Sequence, residues 1–322
     1  MKQIVTLTLN PCVDGSCETE TVHPTHKIRT HNQRYDPGGG GINVSRVVSE
    51  LGGGTTAVYL SGGAIGRLLD DLLAEMTFET KEIPISAMTR MSQAVIETAT
   101  HLEYRFTPEG PTVTPDEWTR CLSEIREMDF DYLVASGSCP KGLPVTCYCE
   151  VSDLARERGA KFVLDTSGEI FEATVAHGGI HLAKPSLGEL RKLLGKPLHT
   201  AVEIEAAAIE LTNQGNIELA AVTMGSDGAM LAGNGEAIWL RPPEVEVTSA
   251  VGAGDSFLGG MLYALSQGQS PSDAFTLGTA AGTAAVITPG TELCRKADIE
   301  RFRDELTRSP DRSKPSGYTI SG

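Results

Sequence analysis

The spacing of apolar residues changes character along the chain and divides it. Ile4 to Asn10 alternates apolar and polar and stops at Asn10-Pro11, which predicts a strand ended by a turn. Ser16 to Arg34 is polar, rich in threonine and without helical period, predicting short strands outside a main sheet. Ile42, Val47, Val48 and Leu51 recur at helical spacing and stop at Gly52-Gly53-Gly54, a helix C-terminal signal, and Ala64 to Met76 reads as a second amphipathic helix. Alternation returns between Ser92 and Phe106, through Ala94, Ile96, Leu102, Tyr104 and Phe106.

After Pro115 helical and strand patterns interleave. A helix over 115–126, a strand Tyr132–Ala135, a helix ending near 158 and a strand Lys161–Asp165 are followed by a strand His181–Ser186 and helices over 187–194 and 201–214. Strand Leu219–Thr223 comes next, then Met230 to Arg241, which is broken by Gly233-Asn234-Gly235 and reads as an edge hairpin. Three helical segments follow Asp255. This rhythm predicts an α/β fold with a mostly parallel central sheet flanked by helices on both faces. The two β segments, about 15–35 and 90–107, are expected to pair as a small lid on one domain spanning 1–308. A lid that small has little core of its own, so a homodimer through it is expected. The polar, proline-containing stretch 309–322 is expected to be a disordered tail.

Composition narrows the functional classes. A net charge of −15 argues against nucleic-acid and anionic-membrane partners, and no apolar run is long enough to span a bilayer. Met1 to Leu7 enters a strand directly, without signal-peptide architecture, so a cytoplasmic protein is expected. The seven cysteines lack zinc-like spacing, Cys147-Tyr148-Cys149 having no second cluster to complete it, and are expected to be reduced thiols. An acidic chain that binds an anionic substrate must gather its basic residues locally, which draws attention to Lys27, Arg29, Arg90 and Arg105.

The candidate chemistry centres on Thr248 to Ser256. Gly252 and Gly254 bracket one small residue, and Phe257, Leu258, Met261, Leu262 and Leu265 follow at helical spacing. A glycine turn feeding a helix leaves backbone N–H groups directed outward, which suits a phosphate. Asp255 among them would repel that phosphate, so it reads as a general base or as an ordinary capping aspartate. A dinucleotide loop is a poor match, because Phe257 occupies the place of the third glycine. Asp14 lies just beyond the first strand, where open α/β sheets keep ligands, and Pro37 to Gly41 with Asn43 forms a second glycine-rich helix start. Two such starts facing each other across one sheet edge would suit group transfer from a nucleotide to a hydroxyl. No P-loop is present, so a divalent ion needs other carboxylates; Glu189 is a candidate, or else a solvated helix residue.

Pro37-Gly38-Gly39-Gly40-Gly41-Ile42-Asn43-Val44, with Gly52 and Gly62 behind it, and Val251-Gly252-Ala253-Gly254-Asp255-Ser256 together resemble the paired signatures of the ribokinase-like, phosphofructokinase-B carbohydrate kinases. Thr6 to Asp14, Tyr104 to Phe106, Ser136 to Ser138, Lys184 to Leu190 and Gly290 to Cys294 resemble the phosphofructokinase branch in the same order, so that the likeness covers about residues 1–307.

The resemblance implies ATP and Mg2+, a phosphosugar substrate, Asp255 as the base and the N–H groups of Gly252, Ala253 and Gly254 as an anion hole. It implies sugar hydroxyls on Asp14, Gly39 and Asn43. Lys27, Arg29 and Arg90 would serve the sugar phosphate, with Ser138 on the same side and Arg105 a weaker match. Lys184, Ser186, Thr223, Gly225 and Gly228 would face the nucleotide, and Glu189 would serve the metal, directly or through water. Gly40 stands where kinases of fructose 1-phosphate and tagatose 6-phosphate commonly carry lysine; an all-glycine loop resembles the minor bacterial type of 6-phosphofructokinase, which makes fructose 6-phosphate the expected substrate and those two sugars the alternatives. Ser186 and Ala250 replace the family's usual asparagine and threonine, which motivates a further alternative, a non-catalytic sugar-phosphate or nucleotide-binding homologue. The retained Asp255 argues against it.

Overall fold

In the computed structural model, which describes residues 2–308, the first strand β1 (Ile4–Thr8) is buried on both faces, as a central parallel strand must be. The chain continues through β2 (Cys12–Thr19), β3 (His31–Gly38), α1 (Gly40–Glu50), β4 (Thr55–Ser61), α2 (Gly63–Ala74), β5 (Glu79–Pro84), β6 (Arg90–Glu97) and β7 (Leu102–Phe106). Next come α3 (Pro115–Arg126), β8 (Tyr132–Ser136), α4 (Cys147–Glu157), β9 (Lys161–Asp165), α5 (Gly168–His177), β10 (Ile180–Ala183), α6 (Leu187–Leu194), α7 (Ala201–Asn213) and β11 (Ile217–Thr223). The hairpin β12 (Ala229–Gly233) and β13 (Glu236–Leu240), then α8 (Ala253–Ser266), α9 (Pro271–Val286) and α10 (Lys296–Arg308) complete it.

The central sheet has the order β13-β12-β11-β10-β9-β8-β1-β4-β5, parallel except for the terminal hairpin. This is the α/β arrangement expected from the sequence, with helices on both faces. α1 and α8 to α10 pack on one face through Val47, Leu258 and Leu262, and α3 to α7 on the other through Ile125, Tyr148 and Leu211. Successive parallel strands run outward from β1 in opposite directions, so the carboxyl ends of β1 and β8 form a topological switch point, where open sheets leave a crevice.

The two predicted β segments pair with each other in a separate sheet, β3-β2-β6-β7. β6 and β7 fall within the second segment read from the sequence, whereas β2 and β3 extend beyond the first at both ends. β2 begins at Cys12, so Asp14 sits in a strand and not in a turn, and Pro37-Gly38 ends β3 before the glycine turn begins. Three elements went unpredicted. β4 is a uniformly buried apolar run between glycines, β5 is a mostly polar edge strand, and α5 buries only Phe171, Thr174 and Val175. The predicted hairpin lies at the sheet edge, turning through Asn234 (φ 55°) and Gly235 (φ 77°). All seven cysteines are free, and the tail expected from 309 falls outside the described residues. Among the described residues no helix is long and apolar enough to cross a membrane.

α8 is held in place by close backbone approach. A Cβ on Gly259 would stand 2.7 Å from Val47 Cβ of α1, and one on Gly260 would stand 2.9 Å from both Ala281 Cβ and the Leu277 carbonyl of α9. Gly260→Val therefore should overpack the α8–α9 crossing and lower stability by about 1–3 kcal/mol. Differential scanning calorimetry checks this; an unchanged midpoint would mean that the two helices separate at little cost.

Candidate active site at the carboxyl edge of the sheet

The head of α8 is built from a glycine in the left-handed region. Gly252 is its N-cap at φ 71°, and no side chain caps the helix. A Cβ at Gly252 would run into Leu293, so glycine is required both for its dihedral and for space. The Ala253 N–H reaches back to the Ala250 carbonyl only at 3.4 Å. An uncapped first turn of this kind directs its N–H groups outward and favours a bound anion.

Asp255 lies inside this first turn, and its carboxylate does not cap the helix. Its Oδ2 accepts a hydrogen bond from Asn43 Nδ2 at 2.8 Å, which joins α8 to α1 across 212 residues of sequence. Removal from solvent raises the Asp255 pKa to about 6; the nearby Asp165 and Asp14 charges add to the shift, and the Asn43 hydrogen bond and Lys184 oppose it. A carboxyl poised there is mostly ionised at neutral pH yet basic enough to accept a proton.

Beside it the carboxyl ends of β9 and β10 supply Asp165 and Lys184, whose Oδ1 and Nζ are 3.0 Å apart. Burial alone would lower the Lys184 pKa, but the charge and hydrogen bond of Asp165, with Asp255 and Glu189 beyond, outweigh it and shift it upward. A Cβ on Gly254 would stand 3.1 Å from Lys184 Nζ, so the ammonium lies against the α8 head. Ser186 and Glu189 form a capping box on α6: Ser186 N donates to Glu189 Oε2 at 2.7 Å and Glu189 N donates to Ser186 Oγ at 3.3 Å. Ser186 pairs with Thr223 in an isolated bridge, which brings the ends of β10 and β11 together, and Gly225 (φ 60°) and Gly228 (φ 105°) shape the turn that follows.

On the other side, the glycines of the α1 start each face a different neighbour. A Cβ on Gly39 would meet Thr8 and Pro11, one on Gly40 would meet Ser136 and Gly137, and one on Gly41 would meet Thr8 and Leu7. The turn is thereby seated on the ends of β1 and β8, at the switch point. Asp14 accepts hydrogen bonds from Ser92 Oγ and, at 3.0 Å, from Cys12 Sγ. Arg90 Nη2 donates to the Asn10 carbonyl at 2.9 Å, and Asn10 Nδ2 donates to Ser138 Oγ at 3.0 Å. Asn10 Oδ1 and Arg90 Nε are buried without partners in this chain.

The structure thus gathers Asn43, Lys184 and the α8 head around Asp255, and joins Arg90 to Ser138 through Asn10. Lys27 and Arg29 stand apart, exposed in the connection from β2 to β3 at the far end of the strand that carries Asp14 near its start. Arg105 lies in β7, 3.6 Å from Glu103, beside a small cleft shared with Asp14 and Thr291. Sequence reasoning missed Asp165, Ser92 and Asn10. The first two are single polar residues in strands and carry no local signal; Asn10 read only as a strand stop. Among the described residues no group of three or more His, Cys, Asp or Glu side chains forms a metal cluster. Mg2+ needs only one or two carboxylates when phosphate oxygens and waters complete its shell, and Glu189 keeps Oε1 outside the capping box, so the residues present fit such an ion.

Comparison with known proteins identifies the relatives of this chain. The pattern described as pfkB family carbohydrate kinase matches residues 7–298. ATP-dependent 6-phosphofructokinase isozyme 2 of Mycobacterium tuberculosis is 41% identical over 310 residues, covering 96% of this chain and 91% of that protein. 1-Phosphofructokinase of Bacillus subtilis is 30% identical, covering 90% of this chain and 95% of the relative. The crystal structure of phosphofructokinase-2 from Escherichia coli in complex with fructose-6-phosphate superposes with a TM-score of 0.91 at 33% identity, covering 96% of this chain and all of that one.

The raised Asp255 pKa makes this residue costly for the fold. From an ordinary 3.8 the folded value rises to about 6, so the carboxyl's contribution to stability is fully present below pH 3.8 and is lost as pH rises through 6. Asp255→Asn should therefore be more stable than the native chain at pH 7.5, by on the order of 2–3 kcal/mol, with the difference vanishing near pH 4. Chemical denaturation at the two pH values measures this; a pH-independent difference would refute the linkage.

Proposed function

Because the chain belongs to the pfkB family of carbohydrate kinases, we propose that it transfers the γ-phosphoryl group of ATP to fructose 6-phosphate, giving fructose 1,6-bisphosphate. The observation that carries this reading is the half-buried Asp255 carboxylate at an uncapped helix head, with Asn43 on one side and Lys184 on the other. In this reading Asp255 removes the proton of the attacking sugar hydroxyl, which is held by Asp14, Asn43 and the Gly39 backbone. The N–H groups of Gly252, Ala253 and Gly254 carry the charge of the transferring phosphoryl group, because positioning and electrostatics do most of the work in this reaction. Lys184 and the edge formed by Ser186, Thr223, Gly225 and Gly228 face the nucleotide. Mg2+, when bound, neutralises phosphate charge, with Glu189 as its partner through water.

The choice of sugar rests on two supports. The identity to the isozyme 2 relative exceeds that to the 1-phosphofructokinase, and Gly40 has no room for the lysine those other kinases carry, since its Cβ would stand 2.9 Å from the Gly137 nitrogen. Arg90 and Ser138 hold the substrate's own phosphate. Lys27 and Arg29 stand away from that cluster in a single chain. A homodimer through the β3-β2-β6-β7 sheet is part of the proposal; Ile28, Tyr35, Leu102 and Phe106 leave apolar surface exposed on and beside that sheet. A cytoplasmic setting accords with ATP as donor. The non-catalytic alternative loses part of its motive, because Ser186 serves as the N-cap of α6, where serine and asparagine are near equals.

ADP release coupled to a reporter, with fructose 6-phosphate, fructose 1-phosphate and tagatose 6-phosphate in parallel, tests the reading. Fructose 6-phosphate should be preferred, and Asp255→Asn should lose about 10²–10⁴ in kcat. Equal rates on another sugar would overturn the substrate assignment; an active Asp255→Asn would overturn the base. Glu189→Gln preserves the capping box, so it should raise the Mg2+ concentration needed for half-maximal rate while leaving the thermal midpoint within a degree or two, whereas Ser186→Ala should lower stability by about 1 kcal/mol. An unchanged Mg2+ requirement in Glu189→Gln would remove the metal role.

A further inference from the structure

Arg46 lies three residues beyond Asn43 on α1, the spacing that places two side chains on one helix face. Its Nη1 donates to Asn43 Oδ1 at 3.3 Å and to the Pro37 carbonyl at 3.2 Å. Asn43 in turn donates through Nδ2 to Asp255 Oδ2 at 2.8 Å. We propose that Arg46 is a positioning residue that locks the Asn43 amide in one orientation, as a permanent donor toward Asp255. The proposal rests on the reading of Asp255 as the base.

An amide has two-ended chemistry, a donor at one end and an acceptor at the other. Beside an ionised carboxylate an asparagine presents its NH2; beside a protonated one it can turn over and accept with its oxygen. A free Asn43 would therefore follow the protonation of Asp255 and stabilise whichever form was present. A guanidinium has donors only and keeps its proton, so turning the amide would set NH2 against N–H with nothing to accept either. The lock makes Asn43 a partner of the carboxylate alone and disfavours the acid.

The guanidinium is well held. It is half-buried, and the Pro37 carbonyl takes the second hydrogen bond of Nη1. Its charged surroundings are Asp36, Arg34, Asp14 and the Cys294 thiol. Asp36 is already engaged, by Arg34 and by Thr291 Oγ1, so it leaves Arg46 to Asn43. Asp255 itself faces Asp165, Lys184, Asp14 and Asn43. Arg46 has no place among the groups proposed to touch sugar or nucleotide, and its effect on the reaction must pass through Asn43.

Two substitutions separate the lock from simple support. Arg46→Lys keeps a donor-only group and should retain the native pH profile of kcat. Arg46→Gln places a second two-ended amide against Asn43, so the pair can turn together; its acid limb should move up by about one pH unit, a roughly fivefold loss near pH 6 that shrinks to less than about twofold near pH 8.5. A loss of the same size at every pH, or no loss in Arg46→Gln, would overturn the lock while leaving Asp255 as base. Absence of phosphoryl transfer in the native chain would instead overturn the reading beneath it. The unmodified protein, labelled with 15N-asparagine, gives an independent readout. A locked Asn43 keeps both side-chain N–H signals through the Asp255 titration, and broadening of that pair below the midpoint would refute the lock without any variant having to fold.

Discussion

A carboxylate half-buried at the head of α8 is costly to ionise, and its neighbours pull both ways: Asn43 and Lys184 favour the charge, whereas burial, Asp165 and Asp14 oppose it. Asn43 comes from α1, Lys184 from the end of β10, and Asp165, the partner that keeps Lys184 charged, from the end of β9. None is near Asp255 in sequence. They meet because the parallel sheet ends its strands on one edge and because Gly259 and Gly260 let α8 lie between α1 and α9. The energetics of the site therefore depend on helix packing well behind it.

The smaller sheet is tied at its root and open at its tip. Near its inner end, Arg34 Nη1 reaches Glu292 Oε1 at 2.6 Å and Thr291 Oγ1 donates to Asp36 Oδ2 at 2.5 Å, fastening β3 to the segment that precedes α10. At the outer end, Lys27 to Thr30 are exposed. Asp14 lies near the fastened end, Lys27 and Arg29 at the open one, so residues close in sequence occupy mechanically different settings.

Much of this was legible in the sequence, for a physical reason: glycine runs followed by helical periodicity announce backbone that must approach something closely. Both helix starts, the alternating rhythm after Pro115 and the two β patches were readable in this way. Where a signal was local it sufficed. The elements that escaped, β4, β5 and α5, have either uniform burial or little amphipathic contrast, and periodicity says nothing about them. Asp165 escaped because its role consists of a partner nineteen residues away, Lys184, and Asn10 because a turn signal hid a side chain that binds Ser138. The glycines before α1 read as a helix start that would face a ligand, and the structure shows that their near neighbours include the ends of β1 and β8.

The same close approach ties together positions far apart in the chain. Gly40 rests against Ser136 and the Gly137 nitrogen, and this same short segment leads into Ser138 and its contact with Asn10. A side chain cannot be introduced at position 40 without displacing the backbone that carries Ser138. Positions 40 and 136 to 138 are thus mechanically coupled: a larger residue at the first requires a shift of backbone at the others.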